Sequence, residues 1–496
     1  MSPLSLLEYH AATRHSLESM RSSGHGLDWP NQPLPFKMYT SLEPRTLPLS
    51  FSASQSSALD AIARACAGSD GLPDLQMVAR LAYFSNGVTR VIRRMPFRAA
   101  ACTGALYHIE MYLICGDLEG LEAGVYHFGA HDNGLRQLRR GDYRFVVASA
   151  TGDEPHVEQA PLVAAFTSTW WRNAWKYQAR AYRHAFWDTG TIVANLLAVA
   201  CANGVPAHEL VGFADTELNR LLDVDPAMEA TICLVSLGQG AAPPVNAPDL
   251  PALALPTQRL SAQQVDYPLI VEAHRASSLA SGAEVLEWRE ALASAAPPQT
   301  GTADGADARR RADHSSMGPL RGIEEVILHR GSSRQFAHDA ITRGQLEVML
   351  DVATAPIPSD APVLTQPYLI VNAVEGLDSG TYAYNRSERQ LELLKTGDFR
   401  REAAFLDLGQ ELAGDAALNV YWLANLDHRA NRDYRAAQLE AAIEGGKLYL
   451  AAYALGLGAT GLTFFDDEVT SFFAPHARGK LVMFLTAVGH PARRAK

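Results

Sequence analysis

The sequence predicts an α+β chain made of two copies of one domain in tandem. Three observations predict it. Glu119-Gly120-Leu121, Gly124, Tyr126, Leu135, Leu138, Gly141-Asp142 and Arg144 return 256 residues later, without a gap, as Glu375-Gly376-Leu377, Gly380, Tyr382, Leu391, Leu394, Gly397-Asp398 and Arg400. Farther on, Arg180-x-Tyr182-Arg183 returns as Arg432-x-Tyr434-Arg435, and Phe213 and Asp215 return as Phe465 and Asp467, at an offset of 252. Within each copy, strand patterns stand on both sides of one helical pattern and do not alternate strictly with helices. Chance does not hold glycines, tyrosines and a Gly-Asp pair in register over such a span.

With 496 residues, 47% of them hydrophobic, the chain can fill two cores and is too long for one ordinary domain. It divides into a segment 1–50, a first copy 51–240, a linker 241–320 and a second copy 321–496. The net charge of −11, without a basic stripe, argues against nucleic acid or an anionic membrane surface as partner. A small-molecule or peptide-derived substrate is left. Cys66, Cys102, Cys115, Cys201 and Cys233 are scattered and lack the close pairs of zinc or redox motifs, so a reduced, cytoplasmic setting and no metal are expected. The first 21 residues mix polar and charged side chains at short intervals, unlike a secretion signal or a membrane span.

Taken in order, residues 1–50 are polar and proline-punctuated. Asp28-Trp29-Pro30-Asn31-Gln32-Pro33 is too broken for a regular element, and the segment reads as a wrap over another surface. Helical spacing follows at 57–67 and 74–83, then a strand at 109–115 and a hairpin. The copies close with helices at 191–204 and 446–456, each ending at a glycine, and with strands at 231–237 and 481–488. Between them, 241–318 is rich in Pro, Ala and Ser, with one helical stretch near 266–292. The piece 295–316, with its Pro-Pro and Arg-Arg-Arg runs, reads as disordered.

Three stretches carry chemistry. Arg98-Ala99-Ala100-Ala101-Cys102-Thr103-Gly104-Ala105-Leu106-Tyr107 puts small residues and a glycine just before a strand. A planar ring could lie on that backbone, with Arg98 and Thr103 at its polar edge; a tight turn into the strand explains the same spacing. Arg330-Gly331-Ser332-Ser333-Arg334-Gln335-Phe336 aims two cations and a hydroxyl to one side, as a phosphate requires, or is a solvated charged segment. Lys176-Tyr177 directly precedes Arg180-x-Tyr182-Arg183, where copy two has His428 and Arg429. Trp170, Trp171 and Trp175 read as core. His184 and His208 have no partners at metal-ligand spacing and read as structural histidines. Cys102 reads as a small buried hydrophobe.

These stretches resemble those of the nitroreductase-like, SagB/ThcOx-type azoline dehydrogenases. The resemblance implies bound FMN, its ring facing Arg98, Ala101, Cys102, Thr103 and Gly104 and its phosphate held by Arg330, Ser332 and Arg334. Gly461 and Leu462, in Gly458-Ala459-Thr460-Gly461-Leu462-Thr463-Phe464-Phe465-Asp466-Asp467, resemble the family's turn beside the reactive edge of the flavin, and Arg493 stands where a terminal cation closes over the phosphate. Ala101 and Cys102 depart from the usual proline and serine, and His108 from a second proline. At the positions equivalent to the ring-facing stretch, copy two has Ala355-Pro356-Ile357-Pro358-Ser359-Asp360, and copy one has no Arg-x-Ser-x-Arg. The chain therefore resembles a fused, asymmetric form of the family's dimer, with one interfacial site left.

The implied reaction oxidises a thiazoline or oxazoline to its azole in peptide-derived natural-product biosynthesis, alongside other biosynthetic enzymes. Lys176, desolvated and of lowered pKa, would take the proton and Tyr177 would relay it. A nitroreductase-like reductase using NAD(P)H, another flavin oxidase, and a flavoprotein scaffold in a biosynthetic complex stay open. No Rossmann-type glycine fingerprint is present, so a nicotinamide would bind only transiently at the flavin.

Overall fold

The computed structural model describes residues 4–22, 24–64, 72–246, 248–295 and 321–492. Of the stretch 295–316, expected to be disordered, Ala295 instead ends a helix, and 296–316 lie outside the described residues, as does Arg493.

Each copy is built on an antiparallel sheet of the same order. In the first, Arg45–Thr46, Gly134–Arg140, Gly124–Gly129, Ile109–Cys115, Leu162–Thr169, Glu229–Leu237 and Ala207–Leu210 lie side by side in that order. In the second, Gln390–Thr396, Gly380–Asn385, Thr365–Val371, Leu418–Ala424, Leu481–Gly489 and Gly458–Gly461 do so. Even the irregularities repeat. Register shifts fall between Val125 and Tyr126 and between Thr381 and Tyr382, and again between Phe166 and Thr167 and between Trp422 and Leu423. Bulges re-aim side chains and persist where a fold depends on them.

The two long helices, Ala181–Ala202 and Asn431–Ala454, pack on each other at the centre and are buried almost throughout. Both begin well before the stretches expected to be helical, because buried Arg, Tyr, Trp and Asp side chains in their first turns hide the apolar period. They cross closely. A Cβ on Gly190 would stand 2.4 Å from Ala442 Cβ, and one on Gly446 would stand 2.7 Å from Ala194 Cβ. Residues 190 and 194 are the counterparts of 442 and 446, so the crossing is itself two-fold.

Reciprocal ion pairs fasten the copies. Arg180 and Arg183 both reach Asp466 of copy two, the former at 2.9 Å, and Arg432 and Arg435 reach Asp215 of copy one at 2.7 and 2.6 Å. Burial alone would raise both carboxyls, but the paired arginines hold them well below the ordinary value. Asp466, not Asp467, is thus the counterpart of Asp215; Asp467 pairs with Arg14 at the surface.

A further repeat appears here. The first segment contains the helix Leu6–Thr13, started by a reciprocal Ser5/Glu8 cap. The expected single helix near 266–292 is two, Pro268–Ala276 and Gly282–Ala295. The break frees Leu279 N to donate to Asp215 Oδ2 at 3.0 Å, just as His15 N donates to Asp466 Oδ2 at 2.7 Å. Arg183 donates to His10 O and Arg435 to His274 O, both at 2.6 Å. Pro268–Ala276 is therefore the second copy of Leu6–Thr13. In the first segment, Tyr9 lies between Tyr182 and Tyr434, with ring centroids at 5.4 and 6.2 Å.

The stretch Trp170–Ala202 has the length and apolarity of a membrane span, and 83% of its most apolar window is buried in the protein. Cys201 is disulfide-bonded, against the expectation of a wholly reduced chain.

Candidate functional site

The arginine arm of copy two meets the small-residue turn of copy one. Arg330, itself buried, donates from Nε to Ala99 O at 2.9 Å and from Nη2 to Arg98 O at 3.3 Å. Arg90 of the hairpin Val88–Ile92/Met95–Arg98 in turn donates to Arg330 O. Ser332 Oγ lies 2.9 Å from the Tyr449 hydroxyl, which also accepts from Gly461 N at 3.2 Å. Tyr449, on the second long helix, so joins the arm to the glycine turn. Arg334 is exposed, and Leu462 is half-buried beside Gly461.

The turn itself is held from below by Asp188 of the first long helix. Its Oδ1 accepts from Thr103 N at 2.9 Å and Thr103 Oγ1 at 2.7 Å, and its Oδ2 accepts from Cys102 Sγ at 3.0 Å. His108 Nε2 also lies 2.9 Å from Oδ2, with Nδ1 2.8 Å from Ser168 Oγ. The helix adds a bond from Thr191 Oγ1 to Ala101 O at 2.8 Å. Cys102 also accepts from Tyr107 N at 3.1 Å, and burial together with Asp188 pushes its thiol pKa up. It is a held thiol and not a thiolate. His108, where a proline was the usual residue, is part of this clamp.

Arg98 and Thr103 turn their polar atoms toward the protein. The Arg98 guanidinium donates to Asn86 Oδ1 at 3.1 Å, Ile109 O at 2.9 Å and Pro35 O at 2.8 Å. The small cavity between the turn and the long helix is lined by Arg98, Ala100, Ala101 and Cys102 of the turn together with Asp188 and Ile192 of the helix.

Lys176 and Tyr177 end the helix Trp170–Tyr177 and are half-buried. Gly104 makes room for them. It has φ +63, and a Cβ there would stand 2.8 Å from the Tyr177 hydroxyl, so neither the conformation nor the space admits a side chain. The Tyr177 ring is braced edge-on by His184 at 4.5 Å, with Lys176 Nζ 5.1 Å from its centre. Burial, then Asp188 and Cys102, raise the phenol, so Tyr177 carries its proton at neutral pH. Trp170, Trp171 and Trp175 are core. Asp188, His108, Tyr449 and Arg90 escaped sequence reasoning, and no motif marks them.

The pseudo-symmetric locus is filled differently. Glu440 stands at the position of Asp188 and accepts from Leu364 N at 2.7 Å and Thr365 Oγ1 at 2.8 Å. Lys447 Nζ donates to Ala355 O at 2.7 Å, and Glu444 is ion-paired with Arg386. Glu444, with its ion-pair partner Arg386, stands where copy one has Ile192, so an ion pair occupies ground that is apolar in copy one.

Comparison with known proteins extends over both copies. Residues 89–239 and 327–490 match the model of the nitroreductase family. The trifolitoxin-processing protein TfxB of Rhizobium leguminosarum bv. trifolii is 28% identical over 140 residues, 27% of this chain and 38% of that protein. The microcin B17-processing protein McbC of Escherichia coli is 24% identical over 140 residues, 27% of this chain and 52% of that protein. The chain thus spans less than two thirds of either relative. A solved nitroreductase-type structure from Anabaena variabilis is similar over 98% of this chain and 99% of its own, with 25% identity and a TM-score of 0.73.

Proposed function

The chain belongs to the nitroreductase family in both of its repeats, and from that premise we propose an FMN-dependent dehydrogenase of the SagB/ThcOx type, oxidising an azoline in a peptide-derived natural product. One observation carries the reading: the arginine arm of one repeat is bonded to the small-residue turn of the other, through Arg330 and Ala99, in a chain with one copy of each. The two relatives named for toxin and microcin processing support the substrate class.

The residues fit a flavin mononucleotide. Arg90 Nε, Ser333 Oγ and Thr463 Oγ1, all on the segments that converge here, are buried with no hydrogen-bond partner, as expected where a polar ligand completes the site. Arg330, Ser332 and Arg334 would hold the phosphate, and Ala100, Ala101 and Gly104 would face the ring. The cofactor supplies hydride acceptance when bound. The protein supplies the rest. Lys176 Nζ takes the proton beside the carbonyl of the azoline, and the Tyr177 hydroxyl, kept protonated, donates a hydrogen bond and passes protons onward. Asp188 keeps the backbone of the turn in place, and the tryptophans behind Lys176 exclude water.

The test is anaerobic flavin reduction in the purified protein. A thiazoline-containing peptide should bleach the flavin absorbance, and NADPH should not. Bleaching by NADPH alone would favour a reductase, and bleaching by neither would favour a scaffold. One FMN per chain is expected, and two would contradict the single-site reading.

A further inference from the structure

At the edge of the copy-one sheet, the fold brings together side chains that the sequence keeps apart. Glu154 and His156 stand at the start of the short helix Pro155–Glu158, and His208 lies on Ala207–Leu210, the edge strand of the sheet. One donor atom from each of the three lies within 4.8 Å of those of the other two. The imidazoles of His156 and His208 stack with centroids 4.0 Å apart at an interplanar angle of 16°. His208 Nε2 is buried without a hydrogen-bond partner, so His208 is not the satisfied structural histidine that its spacing suggested.

We propose that Glu154, His156 and His208 bind a divalent transition-metal ion of the zinc class. Two imidazoles and a carboxylate are a donor set that such ions favour over magnesium or calcium, which take oxygen ligands. With bonds of about 2.0–2.1 Å, tetrahedral ligand atoms stand roughly 3.4 Å apart, so the side chains must close inward by rotation, which His156 can do because it is exposed. Among the described residues, the competitor for Glu154 is Arg289, whose Nη1 lies 3.2 Å from Glu154 Oε2. Arg289 has a second partner in Asp360, at 3.0 Å, and so need not be left unpaired when Glu154 turns to the metal. The remaining coordination positions go to water. A bound ion would cross-link the helix to an open sheet edge, close to where Glu209 meets Ser359 of copy two.

The experiment titrates tag-free, chelator-treated holoprotein with Zn2+ against a chromophoric chelator and records the visible spectrum of the Co2+ form. Wild type should show one saturable site that His156→Ala and His208→Ala each weaken by at least about tenfold, with flavin content unchanged. Equal zinc affinity in wild type and both variants, or no saturable binding in wild type, would overturn the proposal. His156 is exposed, so its variant decides the matter if His208→Ala does not fold.

Discussion

Arg330 and Ala99 lie 231 residues apart in sequence and are joined by a single hydrogen bond of 2.9 Å from Nε to a backbone carbonyl. This bond makes the junction between the repeats and the proposed cofactor site one object, because loosening the arm also loosens the turn.

The two arginines of the arm should therefore separate. Arg334 is exposed, so Arg334→Ala should weaken FMN binding about ten- to a hundredfold through loss of one charge-assisted bond, with the melting of the apoprotein unchanged. Arg330→Ala should lose FMN and also lower the apoprotein melting temperature. Flavin titration and thermal melts of both variants check this. Undiminished flavin affinity in Arg334→Ala would place the phosphate elsewhere.

Chemistry and binding should separate as well. Lys176→Ala and Tyr177→Phe should keep FMN content and fold but reduce substrate-driven flavin reduction at least about a hundredfold, the usual scale of acid–base catalysis. His428→Ala and Arg429→Ala, at the equivalent positions of copy two, should change the rate little. Stopped-flow reduction by the thiazoline peptide is the measurement, and the opposite ranking would move the reaction to the other repeat.

Asp188→Asn tests the clamp beneath the turn. A carboxylate that accepts from Thr103 N, Thr103 Oγ1 and Cys102 Sγ gives way to an amide with one acceptor. Each buried donor left unmet costs about 1–3 kcal/mol, so stability and flavin affinity should fall together. Urea unfolding with and without FMN reads both, and wild-type values in the variant would show that the turn holds itself.

The reciprocal ion pairs set an acid limit. Asp466 and Asp215 are held below their ordinary value of 3.8, so the folded state binds their protons less tightly than the unfolded state. The stability they contribute is complete above about pH 4 and is lost as the pH falls below it. Asp466→Asn leaves Arg180 and Arg183 buried without a counter-charge, at a cost of about 3–5 kcal/mol at pH 7. The variant should also lose less stability than wild type between pH 5 and pH 3. Parallel pH dependence in the two proteins would remove Asp466 from the account.

The repeat was legible because glycines, tyrosines and a Gly-Asp pair held in register leave marks on the chain itself, whereas the arm, the turn and the Lys-Tyr pair stood out only through their resemblance to a known family. Asp188 was not, because an aspartate inside an apolar helix signals nothing until the fold sets a turn against it. The second terminal helix was nearly legible. Glu8-Tyr9-His10 and Glu272-Ala273-His274 share a pattern, but the spacing of 264 matches neither of the other offsets and lies in a stretch that composition marks as a linker. His208 was misread because its neighbours His156 and Glu154 are near in space and distant in sequence.

Glu440 standing where Asp188 stands has an evolutionary consequence. In a dimer of identical chains one codon writes both active sites, so any change that ruins one ruins the other and is discarded. In a single chain that carries both copies, each site has its own codons. A carboxylate one methylene longer and a lysine on Ala355 O could then accumulate on one side at no loss to the other, and the asymmetry of this molecule is what selection permits once symmetry is no longer inherited.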